Sequence, residues 1–258
     1  MKMKILIPAI LTLTLVTIAL YHAAAAGPFS FEEYFYKANQ NYKENHFGEA
    51  VAGYRELIAK GYRNGHLYYN LGNAYLRLND LGRAILNYER ARLFIPRDAD
   101  LNYNLRFARD QIRDALPASA SFLRATFFWL DTFNVRELFW LFVIPNTLLF
   151  AVLFIRLFHR VEWTFYILLI FAILWIVAGT SLCVKWVSSA HDNRAVVLSE
   201  EVNIRSGPHQ QDTVLFKLHP GAVVIHERTE DGWALIRLSD DKRGWLEAPA
   251  IERVSHRP

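Results

Sequence analysis

Residues 163–184 read WTFYILLIFAILWIVAGTSLCV, a run of 22 residues without a charged side chain. At roughly 1.5 Å per residue, a helix of this length is about 33 Å long and can cross a hydrocarbon core of about 30 Å. A second uncharged run, LFWLFVIPNTLLFAVLFI, occupies residues 138–155 and contains Pro145, which predicts a kink. The two runs predict membrane-spanning helices over 138–158 and 163–184, and a buried helical hairpin of a soluble protein is the alternative.

The start of the chain has the pattern of an export signal. Lys2 and Lys4 precede an apolar run, and four alanines end it at Ala26. This pattern predicts a cleaved signal peptide or an uncleaved signal anchor over residues 1–26. Two further spans return the chain to the side it was exported to, and Arg156 and Arg160 favour a cytoplasmic turn between them. We therefore expect a protein of the bacterial inner (cytoplasmic) membrane with both soluble parts on the periplasmic, outer side.

Composition excludes several classes of function. The chain has 29 Lys and Arg against 25 Asp and Glu, a net charge of +4, and no basic stripe that would follow phosphates, so we expect no nucleic-acid partner. Its only cysteine, Cys183, lies in an apolar run, so no intrachain disulfide can form. The histidines lack the spacing of metal ligands, and no nucleophile elbow or phosphate loop is present. We expect no metal, no cofactor and no enzymatic activity.

Residues 117–137 form an aromatic-rich segment before the first span, with Phe127, Phe128, Trp129 and Phe133. The pattern is typical of a helix lying on the membrane surface. A linker that packs against the spans explains the same residues.

Residues 65–96 carry a pattern that returns in part 34 residues earlier. Ala84 and Tyr88 correspond to Ala50 and Tyr54. The pattern resembles the tetratricopeptide repeat (TPR), although the first copy has Lys37 where leucine is usual. The resemblance implies pairs of helices over residues 29–116 that bind protein or peptide partners. Apolar residues at helical spacing predict a capping helix over 98–116: Leu101, Leu105, Phe107, Ala108 and Ile112.

Polar residues recur in register on the predicted groove face of these helices. Amide and cationic side chains at such positions can hold an extended peptide by its backbone and an acidic group. The alternative is that they are simply solvated on an exposed face. The predicted partner-binding residues form three pairs, each 34 residues apart: Asn39 and Asn73, Lys43 and Arg77, Asn70 and Asn104.

After Ser188 the hydrophobic pattern alternates, which predicts short strands separated by turns over residues 193–254. The stretch NIRSGP at 203–208 and the two Gly-Trp steps ending at Trp233 and Trp245 resemble the bacterial SH3 domain. The resemblance implies a small barrel that binds peptides or cell-wall fragments. Trp233 and Trp245 are either core residues of this barrel or a candidate ligand platform.

The order of these parts predicts a multidomain chain: all-α TPR helical repeats, two transmembrane helices and an all-β, SH3-like small barrel. This order resembles the aerotolerance-operon (Bat-type) membrane proteins. The resemblance implies a scaffold in an envelope complex with von Willebrand-type-domain membrane proteins and a MoxR-type ATPase, linked to oxidative or envelope stress tolerance. The alternative is a receptor or accessory protein that binds peptidoglycan through the SH3 domain.

Overall fold

The computed structural model describes residues 30–114, 128–158 and 161–255. The predicted export signal at 1–26 lies outside these residues. The chain divides into two compact units, Met1–Tyr62 and Arg63–Pro258. The boundary falls between the two predicted repeats, so that each unit contains one of the two predicted repeat pairs.

The described part of the first unit is a helical hairpin of α1 (Phe31–Lys43) and α2 (Phe47–Ala59). The Ser30 side chain caps α1 by accepting a hydrogen bond from the Glu33 backbone N–H. Small side chains let the helices approach closely, since a Cβ atom added to Gly53 would lie 3.0 Å from the Ala38 Cβ.

The second unit begins with α3 (Gly65–Arg77), α4 (Leu81–Phe94) and α5 (Ala99–Arg109). Asn64, Asp80 and Asp98 precede these helices, and each side chain accepts a hydrogen bond from a backbone N–H of the first turn. In α5 the buried face consists of Leu101, Leu105 and Ala108. The expectation that Phe107 belongs to this cap is wrong. Phe107 is 52% exposed, because it follows Tyr103 by one turn on a neighbouring stripe of the helix.

Helices α6 (Val135–Phe158) and α7 (Trp163–Ala190) are long and apolar enough to cross a membrane. Only 6% of the most apolar window of each is buried within the protein, so these helices are not the core of a soluble fold. Helix α6 continues through Pro145. Gly179 allows the two helices to pack closely, since a Cβ atom added there would lie 3.2 Å from the Phe142 ring.

The described part of the aromatic segment before α6 contacts α7. A short 3-10 helix, Phe128–Asp131, positions Trp129, whose indole N–H donates to the Ser181 hydroxyl at 3.1 Å. The Lys185 ammonium donates to the Leu130 carbonyl at 2.6 Å. Residues 117–127 of the predicted membrane-surface segment lie outside the described residues.

The C-terminal part is a curled antiparallel sheet in the order β3-β2-β6-β5-β4-β1-β7. Its inward-facing side chains share one apolar core that includes Val197, Ile204, Leu218, Ile236 and Leu246. The structure confirms three predicted features: a helical N-terminal region, a pair of membrane-length helices and a C-terminal antiparallel sheet. The strands are β1 (Arg194–Val197), β2 (Val202–Arg205), β3 (Val214–Leu218), β4 (Val223–Glu230), β5 (Trp233–Arg237), β6 (Arg243–Glu247) and β7 (Ile251–Arg253).

Helix α4 packs against strand β1, which joins the helices of the second unit to the curled sheet, referred to from here as the barrel. All residues of α4 from Ala84 to Ala91 are buried, because one face of the helix meets its helical neighbours and the other meets the sheet. Strand β1 is buried on both faces for the same reason. Val197 points into the barrel core, whereas Val196 is fully buried outside that core.

Candidate functional site

In the first unit, the predicted groove residue Asn39 contributes to the packing of its own helix pair. The Tyr54 hydroxyl on α2 donates a hydrogen bond to the Asn39 Oδ1 atom on α1 at 2.7 Å. Lys43 lies exposed in the last turn of α1. The carboxamide oxygen expected to face a ligand is therefore occupied by a buried tyrosine.

The second unit repeats this bond 34 residues later. The Tyr88 hydroxyl on α4 donates to the Asn73 Oδ1 atom on α3 at 2.7 Å. The Asn104 Nδ2 group on α5 donates to the same oxygen at 3.0 Å and to the Tyr69 hydroxyl at 3.1 Å. The structure thus brings Asn73 and Asn104 together in a network that links three helices. The remaining predicted groove residues of this unit are Asn70, half-buried on α3, and Arg77, exposed in its last turn.

The outer face of the barrel carries both predicted tryptophans. In β5 and β6 the inward residues are Ala234, Ile236 and Leu246, so the alternation of side chains places Trp233 and Trp245 on the opposite face. Trp233 is paired with Glu247, and Leu235 with Trp245, which makes the tryptophans diagonal neighbours about 7–8 Å apart. Neither tryptophan belongs to the apolar cluster inside the barrel, although Trp245 is itself buried.

Arginine and glutamate side chains surround these tryptophans. The Arg228 guanidinium lies 5.4 Å from the centre of the Trp245 ring, a cation–π distance, and its Nε atom is 3.0 Å from the Glu230 carboxylate. Trp245 is only 7% exposed, whereas Trp233 is half-buried. We call Arg228, Glu230, Trp233, Trp245 and Glu247 the outer aromatic patch. Such a patch can stack on flat or sugar-like ligand surfaces and hydrogen-bond their polar groups.

A buried carboxylate links the helices of the second unit to the barrel. Glu89 on α4 has no exposed side-chain surface. It accepts hydrogen bonds from Arg92 of α4 at 3.0 Å, from Arg194 of β1 at 2.8 Å, and from Arg109 of α5. Arg194 is also held by both oxygens of Asp192, at 2.9 and 2.7 Å. Three elements are therefore tied together through a single acidic side chain.

The surrounding arginines determine the charge state of Glu89. Burial by itself raises the pKa of this carboxyl. The nearby charges of Arg92, Arg194 and Arg109 lower the pKa by more than burial raises it, so the pKa of Glu89 is below the ordinary value of 4.5. Burial likewise disfavours the charged form of Arg194, but hydrogen bonds to Asp192 and the charge of Glu89 raise its pKa overall. Glu89 is thus ionised at neutral pH.

Two further contacts fix the barrel to the helices. The Arg90 guanidinium on α4 donates to the Arg253 and Val254 carbonyls at 2.7 and 3.2 Å and to the Glu252 carboxylate at 2.7 Å. Asp114, which follows α5, accepts hydrogen bonds from the backbone and the ring of His219 at 2.7 and 2.9 Å. Strand β7 and Val254, which follows it, are therefore held by α4.

Sequence reasoning missed this interface. Glu89, Arg90 and Arg194 lie outside the repeat pattern and the SH3 motif, so no motif drew attention to them. The sequence did contain one indication of this interface. The repeat-pattern residues Ala84 and Tyr88 already account for the packing of the helix against its helical neighbours, yet Ile85 and Leu86 are also apolar. That second apolar face indicates an additional packing partner.

The histidines of the barrel form hydrogen bonds with protein groups. The Nδ1 atom of His226 accepts a hydrogen bond from the Arg253 guanidinium at 2.8 Å, and its Nε2 atom lies 2.8 Å from the Thr229 hydroxyl. Within the described ranges, no three His, Cys, Asp or Glu side chains meet in a way that could hold a metal ion.

Comparison with known proteins identifies one part of the chain. No curated protein matches the chain. Residues 199–252, which contain β2 to β6 and the outer aromatic patch, match the family described as the bacterial SH3 domain. This C-terminal region is therefore similar to a bacterial SH3 domain, in agreement with its antiparallel sheet.

Proposed function

We propose that this protein is a membrane-anchored binding protein of the bacterial cell envelope, and that its SH3-like barrel binds peptidoglycan through the outer aromatic patch. The observation that carries this proposal is the grouping of Trp233, Trp245 and Arg228 on the outer face of a barrel that is similar to bacterial SH3 domains. The proposed role is binding rather than catalysis, because the sequence contains neither a nucleophile elbow nor a phosphate loop.

The contact between α4 and β1 supports an anchored arrangement. Helix α4 precedes the two membrane-length helices and β1 follows them, yet the two elements pack together. Because a helix and a strand in contact must lie on the same side of a bilayer, α6 and α7 form a hairpin that crosses it and returns. With the export pattern at residues 1–26, we place this side in the periplasm.

Helices α3 to α5 position the barrel in this proposal. The oxygen of Asn73 is occupied by Tyr88 and Asn104, which reduces what the helical face can offer a ligand. The barrel, by contrast, presents the half-buried Trp233 ring beside the Glu230 and Glu247 positions of the neighbouring strands. Stacking of sugar or peptide groups on such rings and hydrogen bonds to the charged groups suit a polymer of sugars and short peptides.

Sedimentation with purified peptidoglycan tests the ligand. Full-length protein in mild detergent should sediment with the insoluble wall, and the Trp233→Ala variant should remain largely in the supernatant. Tyr103→Ala, which removes an exposed aromatic side chain from α5, is the matched control and should sediment like the wild type. Equal sedimentation of the Trp233→Ala variant and the wild type would exclude the outer aromatic patch as the wall-binding site.

A second candidate function is a protein scaffold of the tetratricopeptide type. The recurrence of the Tyr54–Asn39 bond as the Tyr88–Asn73 bond favours it, because the two bonds are related by the predicted 34-residue period. The partners would be those implied by the Bat-type resemblance: von Willebrand-type-domain membrane proteins and a MoxR-type ATPase. Stress tolerance would be the process served.

Partner capture from solubilised membranes separates the two candidates. If the helices carry the function, Arg77→Ala should lose protein partners, and Trp233→Ala should retain them. If the wild type binds peptidoglycan and the Arg77→Ala variant retains all protein partners, the result would favour the barrel as the functional part of the protein.

A further inference from the structure

A polar cleft of about 580 Å³ lies where the helices of the second unit meet the barrel. The turn between α3 and α4 and the residues after α5 form one side of it, and the loops before β2 and after β3 form the other. Ligand sites usually have volumes of about 300–1,000 Å³ and are frequent where domains meet. We call this space the junction cleft. None of the described residues that line it belongs to the outer aromatic patch.

Direct contacts hold the two sides of the junction cleft in place. The backbone N–H and the ring of His219, on the barrel side, bond to the Asp114 carboxylate at 2.7 and 2.9 Å. Gly221, two residues further along, packs against the side chains of Ile85 on α4 and of Ile112. Because these contacts set the distance between the two sides, a ligand does not have to order them, which lowers the entropy cost of binding.

The junction cleft lies at the opposite end of α4 from the membrane-length helices. It adjoins Leu81, the first residue of α4, whereas the carbonyl of Phe94, the last residue, accepts a hydrogen bond from Asn134 just before α6. The 14 residues of α4 place these two ends about 20 Å apart. Because the charged lining residues Arg113 and Glu200 are also exposed to water, we expect a water-soluble ligand.

Arg113 and Glu200 are opposite charges that line the same cleft. Neither forms a hydrogen bond or an ion pair with any residue that the structure describes. The neighbouring Glu201 is already paired with Lys217 at 2.6 Å, and Lys217 above all, with a smaller effect of Arg113, lowers the pKa of this carboxyl. A guanidinium group can bind a carboxylate through two parallel hydrogen bonds, and a carboxylate binds an ammonium group.

We propose that the junction cleft binds a short peptide that carries both a free carboxylate and a free ammonium group, the carboxylate at Arg113 and the ammonium group at Glu200. One such peptide neutralises both residues, whereas a ligand of a single charge leaves one of them unpaired. The half-buried Leu76, Leu81 and Pro220 complete the lining and can pack against small apolar side chains of the peptide. The stem peptides of peptidoglycan have this chemistry, and naming them as the source rests on the function proposed above.

Binding of modified peptides tests the two charges separately. The ligand is a synthetic stem peptide with an acetylated N-terminus that ends in lysine and alanine, titrated by calorimetry into the full-length protein in mild detergent. Three forms are compared: the free peptide, the peptide with an amidated carboxylate, and the peptide with an acetylated lysine. We expect the free peptide to bind, and each modification to weaken binding about fivefold, the effect of losing an exposed ion pair.

Variants assign each charge of the peptide to its residue. Arg113→Gln should weaken binding of the free peptide about fivefold, and amidation should then weaken it no further. Glu200→Gln should show the same relation to lysine acetylation. Arg106→Gln on α5 and Glu56→Gln on α2 remove exposed charges outside the cleft, and both should bind all three peptides as the wild type does.

The outcomes separate the junction cleft from the proposed wall binding. A protein that binds the free peptide with the expected dependence on Arg113 and Glu200, but does not sediment with peptidoglycan, would support the cleft and contradict wall binding. A protein that sediments with peptidoglycan but binds all three peptides equally, or binds none, would overturn the cleft and leave the outer aromatic patch as the wall site. Equal effects of Arg113→Gln and Arg106→Gln would also overturn the cleft.

Discussion

Glu89 shows how one buried side chain can hold separate elements together. It is a single negative charge among three arginines that come from α4, α5 and β1. The pKa of its carboxyl is below the ordinary value of 4.5 because the arginine charges outweigh its burial. The carboxylate therefore contributes stability above about pH 4.5, and that contribution is lost as the pH falls further and the group is protonated.

Replacing Glu89 should strongly destabilise the second unit. In Glu89→Gln the three guanidinium groups lose their shared counter-charge, and breaking a buried ion pair costs about 3–5 kcal/mol of unfolding free energy. Urea titration in detergent, followed by tryptophan fluorescence, measures the loss. Glu56→Gln removes the exposed pair with Lys60 and should cost less than about 1 kcal/mol. Similar losses for both variants would contradict the role assigned to Glu89.

Gly221 is required by two independent constraints. Its φ angle is +90°, and an added Cβ atom would lie 2.6 Å from the Ile85 Cδ1 atom of α4 and 3.2 Å from Ile112. Gly232 has a similar φ of +83° but open space around it. Gly232→Ala should therefore lower the free energy of unfolding only by the cost of a positive φ angle, about 1 kcal/mol. Gly221→Ala should lower it clearly more in the same urea titration, because the added methyl group also clashes with α4. Equal costs would mean that α4 does not pack tightly on this turn.

His226 should make barrel stability depend on pH. Burial and the neighbouring Arg253 charge lower its pKa below the ordinary value of 6.5. Below about pH 6.5, His226 therefore binds a proton more readily in the unfolded chain than in the folded chain. The contribution of His226 to the free energy of unfolding is fully present above this pH and falls as the pH is lowered. Unfolding midpoints between pH 5 and 8 measure the slope. His226→Gln should flatten it, whereas the exposed His209→Gln should not.

At the scale of elements, α4 determines how the barrel is attached. Its residues contact helices on one side and β1 on the other, and Arg90 binds the end of the three-residue strand β7. A strand of three residues gains little stability from its backbone hydrogen bonds to β1 alone. We infer that α4 holds β7 in the sheet.

Removing the Arg90 side chain should loosen β7 selectively. In Arg90→Ala the carbonyls of Arg253 and Val254 lose their donor. Val254 is buried, and an unsatisfied buried group costs about 1–3 kcal/mol. Hydrogen exchange should accelerate at Val254 and remain slow at Ile236 in β5. The control Arg106→Ala removes an exposed arginine and should change neither. Uniform acceleration across the barrel would contradict a local role.

At the scale of the whole molecule, the proposed membrane hairpin would leave the elements before and after it in one compartment, since α4 packs against β1. Labelling of introduced cysteines tests this arrangement. In a Cys183→Ser background, Lys43→Cys and Asp241→Cys place single thiols at exposed positions before and after the spans. An impermeant maleimide added to spheroplasts should label both variants equally, and a cysteine in the turn, at Val161, should remain unlabelled. Labelling of one soluble end without the other would contradict the hairpin.

The sequence by itself determined the order of the parts. Two long uncharged runs, a 34-residue period and an alternating pattern with Gly-Trp turns are local features, and each can be seen without knowing what the segment contacts. They predicted the helical region, the two membrane-length helices and the antiparallel sheet. They also located Trp233 and Trp245, although not the face that the tryptophans share.

Only the tertiary structure determined how these parts meet. Glu89 and Arg194 are 105 residues apart, and each looks like an ordinary solvated charge in the sequence. Asn73 looks like a ligand group until Tyr88 and Asn104 are seen to occupy its oxygen. The physical reason is the same in both cases. Periodicity reports which face of an element is buried, but the partner of that face depends on how distant segments pack, and local sequence does not encode that partner.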